Sequence, residues 1–200
     1  MITNVFSLCT IPLTVKALED YRSFITTADS YVDEGDPDTN FGGFTYLKVG
    51  YHNNWTKAFL KFDLINAPKN FHKAELRIAF IHVENSSLLD FYETNSGWGE
   101  YTITWNNAPP FGDIITSEPI PEDIELNKHI KIDITNNLEN ITGIWSIGIN
   151  SSVQKLLMIS PKEQAPVPII MYYYQKSNLL MFGKIALVGV IGLVIIGRSL

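Results

Sequence analysis

Two hundred residues accommodate one domain of ordinary size with an appendage, and 46% apolar against 18% charged residues excludes general disorder. A net charge of −6 with no basic patch argues against nucleic acid as a partner. The single cysteine, Cys9, excludes an intrachain disulfide and a thiolate metal cluster.

The amino end, MITNVFSLCTIPLTVKALEDY, has no basic residue before Lys16, is interrupted by Asn4 and Pro12, and lacks a small-x-small cleavage site. It is read as a retained arm over residues 1–24. From Thr26 to Tyr174 the pattern has period two, in short runs separated by glycine, proline and asparagine clusters, which points to an all-β sandwich over residues 25–175. In TYLKVGY, Leu47, Val49 and Tyr51 share a face; in KAFLKFDL, Ala58, Leu60, Phe62 and Leu64 share one and leave Lys57, Phe59, Lys61 and Asp63 opposite. In KAELRIAFIHV, Ala74, Leu76, Ile78 and Phe80 alternate with Glu75 and Arg77.

SGWGEYTITWNNAPP, residues 96–110, predicts a further strand over Tyr101 to Trp105, with Tyr101, Ile103 and Trp105 on one face, Trp105 directed to the core, and the asparagine and proline pairs ending it. Trp98, between two glycines, is expected in a loop, either as a lid over the core or as an exposed platform. The remaining predicted strands are His129 to Ile134, Ile144 to Ile149 with Trp145 inward, Leu156 to Ile159 and Val167 to Tyr174. The stretch Leu179 to Gly197 holds nineteen residues with Lys184 as its one charge, close to the ~20 apolar residues a helix needs to cross hydrocarbon. Residues 176–200 are therefore expected to be a transmembrane anchor, and its glycines suit a bilayer better than a soluble helix.

Five segments together resemble the DNRLRE domain, the disaggregatase-related module also classed as carbohydrate-binding module family 96. They are TADSYVDEGDPDTNFGGFTYLKVGY, KAFLKFDL, KAELRIAF, SGWGEYTITWNNAPP, and IKIDITNNL leading to PVPIIMYYY. The resemblance implies a jelly-roll-like antiparallel β-sandwich without intrinsic catalysis, found on surface proteins and polysaccharide-degrading enzymes. It implies that some members bind acidic glycans.

No HExxH, G-x-S-x-G or phosphate-loop motif accompanies the four histidines, so the residues themselves support no enzyme. Lys48, Trp55, Lys57, Phe59, Lys61 and Arg77 place cations beside aromatics on the outward side of the sheet. With Trp98 they are the candidate glycan-binding set, because sugar rings stack on aromatic faces and cations pair with uronate or sulfate. The competing reading is a solvated face or one packed on a neighbouring subunit. Asp36, Asp38 and Asn40 form the first half of a calcium loop, but Phe41 and Leu47 stand where an EF-hand needs glycine and glutamate. A non-EF calcium site and an Asx-type turn are the two readings there. Beyond calcium no cofactor is expected. Sequons at Asn54, Asn85, Asn140 and Asn150 fall at predicted loops or strand ends.

These readings combine into a non-catalytic, membrane-anchored β-sandwich on the outer surface of a cell or virion, a structural or adhesive part of an envelope or of a membrane-containing capsid. Its partners would be the lipid membrane and neighbouring protein subunits. The alternative is a carbohydrate-binding module recognising an acidic polysaccharide at the cell surface.

Overall fold

A computed structural model describes residues 19–175; the expected anchor, and all but the last six residues of the expected arm, lie outside the described residues. Tyr21–Tyr174 form one compact unit. Its strands are β1 (Glu19–Asp33), β2 (Leu47–His52), β3 (Asn54–Asp63), β4 (Lys73–Val83), β5 (Ser87–Thr94), β6 (Phe111–Ile120), β7 (His129–Asp133), β8 (Ile144–Ser151), β9 (Leu156–Ile159) and β10 (Ile169–Gln175). A single 3-10 turn, Thr135–Asn137, is the helical content among the described residues, and no described helix is long and apolar enough to cross a membrane. β1 takes in residues 19–24, ahead of the boundary drawn at 25.

The strands form one hydrogen-bonded path, β1-β10-β4-β9-β2-β3-β8-β5-β6, with β7 on β4. β1 also pairs with β3, from Thr26↔Phe62 to Asp33↔Thr56, so the first part of the path closes on itself around a core. The period-two pattern explains which side chains enter that core. Ala58, Leu60, Phe62 and Leu64 of the β3 segment meet Trp145, Ile147 and Ile149 of β8, and opposite them stand Leu76 and Ile78 of β4, Ile132 of β7, and Ile170 and Tyr172 of β10. Each large aliphatic or aromatic group so buried stabilises the fold by about 1.5–3 kcal/mol.

Two backbone positions set the β2–β3 hairpin. Asn53 takes φ 67, the left-handed conformation that asparagine tolerates. Gly50 takes φ 102 and lies so close to the Lys155 carbonyl that a Cβ would overlap its oxygen.

The strand predicted over Tyr101 to Trp105 does not form, while β1, and β5 and β6 on either side of that segment, are strands the periodicity left unassigned. Local hydrogen bonds win over a ladder. The amides of Thr102 and Ile103 both donate to the Gly99 carbonyl, while Asn107 accepts from Thr104 N at 2.7 Å and donates to Thr102 O at 2.9 Å. Ile103 is buried as expected, but Tyr101 is 67% exposed and Trp105 is half-buried outside the main core.

Candidate functional site

The outer face of the sheet around β3 is roofed by the segment between β5 and β6, residues 95–110. A second apolar cluster forms beneath it: Val32 of β1, Phe59 of β3, and Trp98 and Ile103 of the roof, with Ala28, Trp105, Ala108 and Phe111 packed around them. Phe59 faces away from the main core, so this cluster alone explains its complete burial. Trp98 packs edge-on against Phe59 with ring centroids 5.9 Å apart, and its Nε1 donates to Ser146 Oγ at 2.8 Å. Of the two expectations for Trp98, the lid holds, although it covers a subsidiary cluster; at 8% exposure it is no platform.

The loop 34–42 pins the roof from one side. Asn40 Nδ2 donates to the carbonyls of Glu100 and Ile103 at 2.8 and 2.7 Å, its Oδ1 accepts from Gly42 N, and Asp38 Oδ1 accepts from Asn106 Nδ2 at 2.8 Å. Asp38 and Asn40 of the calcium candidate thus serve as struts for the roof. Asp36 contributes its carbonyl to a turn with Thr39 N.

A charged junction engages the side chain of the same Glu100 whose carbonyl Asn40 holds. Asp29 accepts from Lys162 N at 2.6 Å, and Lys162 Nζ lies 2.8 Å from Glu100 Oε1 and against Glu163. Burial pushes the Asp29 carboxyl up to about 7 against the pull of the Lys162 amide, and the charges of Glu163 and Glu100 add to the rise.

Two clefts flank Trp105. One, of about 400 Å³, runs along Lys57, Phe59, Trp105, the Pro109-Pro110 pair and Phe111. The other, of about 350 Å³, lies between Trp55 and Trp105 and has Lys57, Asn150 and Ser152 on its walls. Lys57 belongs to both. Its ammonium stands 4.4 Å from the Trp105 ring centre and 5.3 Å from that of Phe111, and partial burial lowers its pKa despite the opposing charge of Glu34. Trp55 is held edge-on by Tyr51, and Phe111 stacks flat on Tyr92 with centroids 4.8 Å apart.

The structure therefore divides the seven candidate residues. Lys57 and Trp55 line open clefts. Phe59 and Trp98 are structural, and Lys61 is engaged beneath the roof, its Nζ donating to the Trp98 carbonyl and lying 4.4 Å from the Trp98 ring centre. Lys48 stands apart beside Tyr31 and Tyr46. Arg77 is on β4, where it gives two hydrogen bonds to Glu75 and one to Tyr173. Trp105 and Phe111 went unrecognised as surface groups; the signal for Trp105 was the asparagine pair that follows it, which builds a turn. Of the sequon asparagines, Asn85 and Asn140 are exposed, Asn54 is half-buried beside Gly35, and Asn150 borders the second cleft.

The family model for carbohydrate-binding module family 96 matches residues 20–171, about three quarters of the chain. The chain belongs to that family. No curated protein matches it. The family 96 match spans β1 through the start of β10, so the roof, the loop 34–42 that struts it and both clefts all fall inside the module. Membership favours the carbohydrate-binding alternative over the structural or adhesive reading.

Proposed function

We propose that this jelly-roll-like β-sandwich is a non-catalytic, extracellular or surface-exposed module that binds an acidic glycan across the clefts either side of Trp105. The observation that carries the reading is the shared position of Lys57, one partly desolvated cation between Trp55 on one side and Trp105 with Phe111 on the other. Pyranose rings present an apolar CH face that stacks on indole, and a uronate or sulfate group would complete the charge that Lys57 holds in a half-buried setting. Asn150 and Ser152 supply neutral hydrogen-bonding groups at the rim. Lys61 and Trp98 act indirectly, by holding the roof that positions Trp105.

The test is a glycan array with the full-length chain, followed by titration of any hit. Uronate- or sulfate-bearing polysaccharides are expected to bind, neutral ones to bind weakly, and binding to fall with added salt. Trp105→Ala and Lys57→Met should each abolish it, whereas Arg77→Met should leave it unchanged; binding that survives both cleft variants refutes the site.

On sequence alone, we also propose that residues 179–197 attach the module to a membrane. Co-flotation of the full chain with phospholipid vesicles, lost on truncation at 176, is the expected result.

A further inference from the structure

A cavity of about 330 Å³ opens at one end of the main core, between the link from β3 to β4 and the link from the 3-10 turn to β8. It shares no lining residue with the clefts beside Trp105. Leu138 and Tyr172 are its buried members, Phe71 is a half-buried aromatic wall, and Lys69, Glu139, Asn140 and Thr142 form its exposed mouth. Tyr172 is fully buried on β10, yet its hydroxyl makes no hydrogen bond. Phe24 and Phe71 meet the Tyr172 ring edge-on, with centroids 5.6 and 4.9 Å away, so the phenol is held in place and cannot swing to another partner. Burial pushes its pKa up to about 12, which keeps it a neutral group able both to donate and to accept. A buried hydroxyl without a partner is costly, and the cavity that Tyr172 borders is the space from which a partner can reach it.

We propose that this cavity is a second sugar site, which takes the terminal ring of a neutral glycan and pairs one of its hydroxyls with Tyr172. Leu138 and Tyr172 close the inner end, so a single ring or a chain end fits and a through-running chain does not. The volume, near the lower limit of ordinary ligand pockets, agrees with one ring. Lys69 and Glu139 bring one charge of each sign to the mouth and no other lining residue is charged, so the cavity offers no net charge to a uronate or sulfate. Phe71 supplies an aromatic wall, and Asn140, Thr142 and Tyr172 supply amide and hydroxyl groups. That combination suits a ring with apolar CH faces and a hydroxylated edge. Membership of a carbohydrate-binding family points the same way. The inference does not rest on the acidic-glycan clefts, and the two sites can fail separately.

The full-length chain is titrated by saturation-transfer NMR with the methyl glycosides of glucose, galactose, mannose and N-acetylglucosamine, and with methyl glucuronide as competitor. At least one neutral glycoside is expected to bind with Kd of about 1 mM, ordinary for a single ring with few polar contacts, and the glucuronide should not displace it. Tyr172→Phe removes only the oxygen, so its Tm should equal or exceed that of the parent while binding weakens at least tenfold. Thr142→Trp, an exposed change that plugs the mouth, should abolish binding. Trp105→Ala and Lys57→Met should leave it intact. No neutral glycoside bound at up to about 50 mM, far above that Kd, overturns the proposal. So does Tyr172→Phe binding within tenfold of the parent, or a fall in its Tm, which would mean that the hydroxyl is already satisfied inside the fold. Loss of the neutral ligand on Trp105→Ala, or its displacement by the glucuronide, assigns the sugar to the acidic-glycan clefts and overturns the proposal as well.

Discussion

Replacing Trp98 and Trp105 separately should dissociate stability from recognition. Trp98 is almost wholly buried, packs on Phe59, donates to Ser146 Oγ and lies under the Lys61 ammonium. Trp98→Ala removes a large core aromatic, for which about 3–5 kcal/mol is typical; the lost Nε1 hydrogen bond accounts for about 1 kcal/mol of it. With a urea m-value near 2 kcal/mol/M, the denaturation midpoint should fall by about 1.5–2.5 M. Trp98→Phe keeps most of the ring volume and should recover all but about 1–2 kcal/mol. Trp105 is half-buried at the cleft wall, so Trp105→Ala should cost only about 1–2 kcal/mol while eliminating glycan binding. Urea unfolding by tryptophan fluorescence and circular dichroism, beside polysaccharide titration under native conditions, reads both axes. If Trp98→Ala shifts the midpoint by less than about 0.5 M and still loses the ligand, Trp98 is a platform and the reasoning about the roof is wrong.

Gly50→Ala places a side chain at φ 102 against the Lys155 carbonyl, and a loss of about 3 kcal/mol or more is expected in thermal unfolding. Gly42→Ala would drive its Cβ into the Glu100 carbonyl, which Asn40 also binds; a loss of about 1–3 kcal/mol with weakened glycan affinity should follow, because the roof must lift. Glu75 is buried, which alone would raise its pKa, but bonds from Lys73, Arg77 and Tyr173 outweigh this and hold it at about 2. Its folded pKa is depressed, so its contribution is full above the ordinary carboxylate range and is lost as pH falls from about 4.5 towards 2. Glu75→Gln should lower stability at neutral pH by about 2 kcal/mol and flatten that acid limb in denaturant titrations at graded pH.

The core was legible because its rule is local. Alternation in KAFLKFDL and KAELRIAFIHV names the inward side chains of β3 and β4 without any knowledge of their partners. The roof was not legible for the same reason. The YTITW alternation of residues 101–105 imitates a strand, and what overrides it is a set of hydrogen bonds to the Gly99 carbonyl and to and from the Asn107 side chain, whose geometry depends on backbone turns. Phe59 shows the limit from the other side: its outward position was read correctly, but its burial depends on a loop some forty residues later in the chain. The separation of Arg77 from Lys57 likewise follows from strand order, which no single strand encodes. The Asp29, Glu100 and Glu163 junction joins three lone carboxylates that carry no spacing signal at all.

The path of strands stops at β6, whose far side meets no other strand among the described residues. An open border of this kind invites a second copy to add its own ladder, the first step towards fibrous stacking. Asp113, Glu118 and Pro119 lie along it, two like charges and a residue unable to donate, and together they blunt such docking. Protein stocks concentrated for ligand work should accordingly stay dispersed.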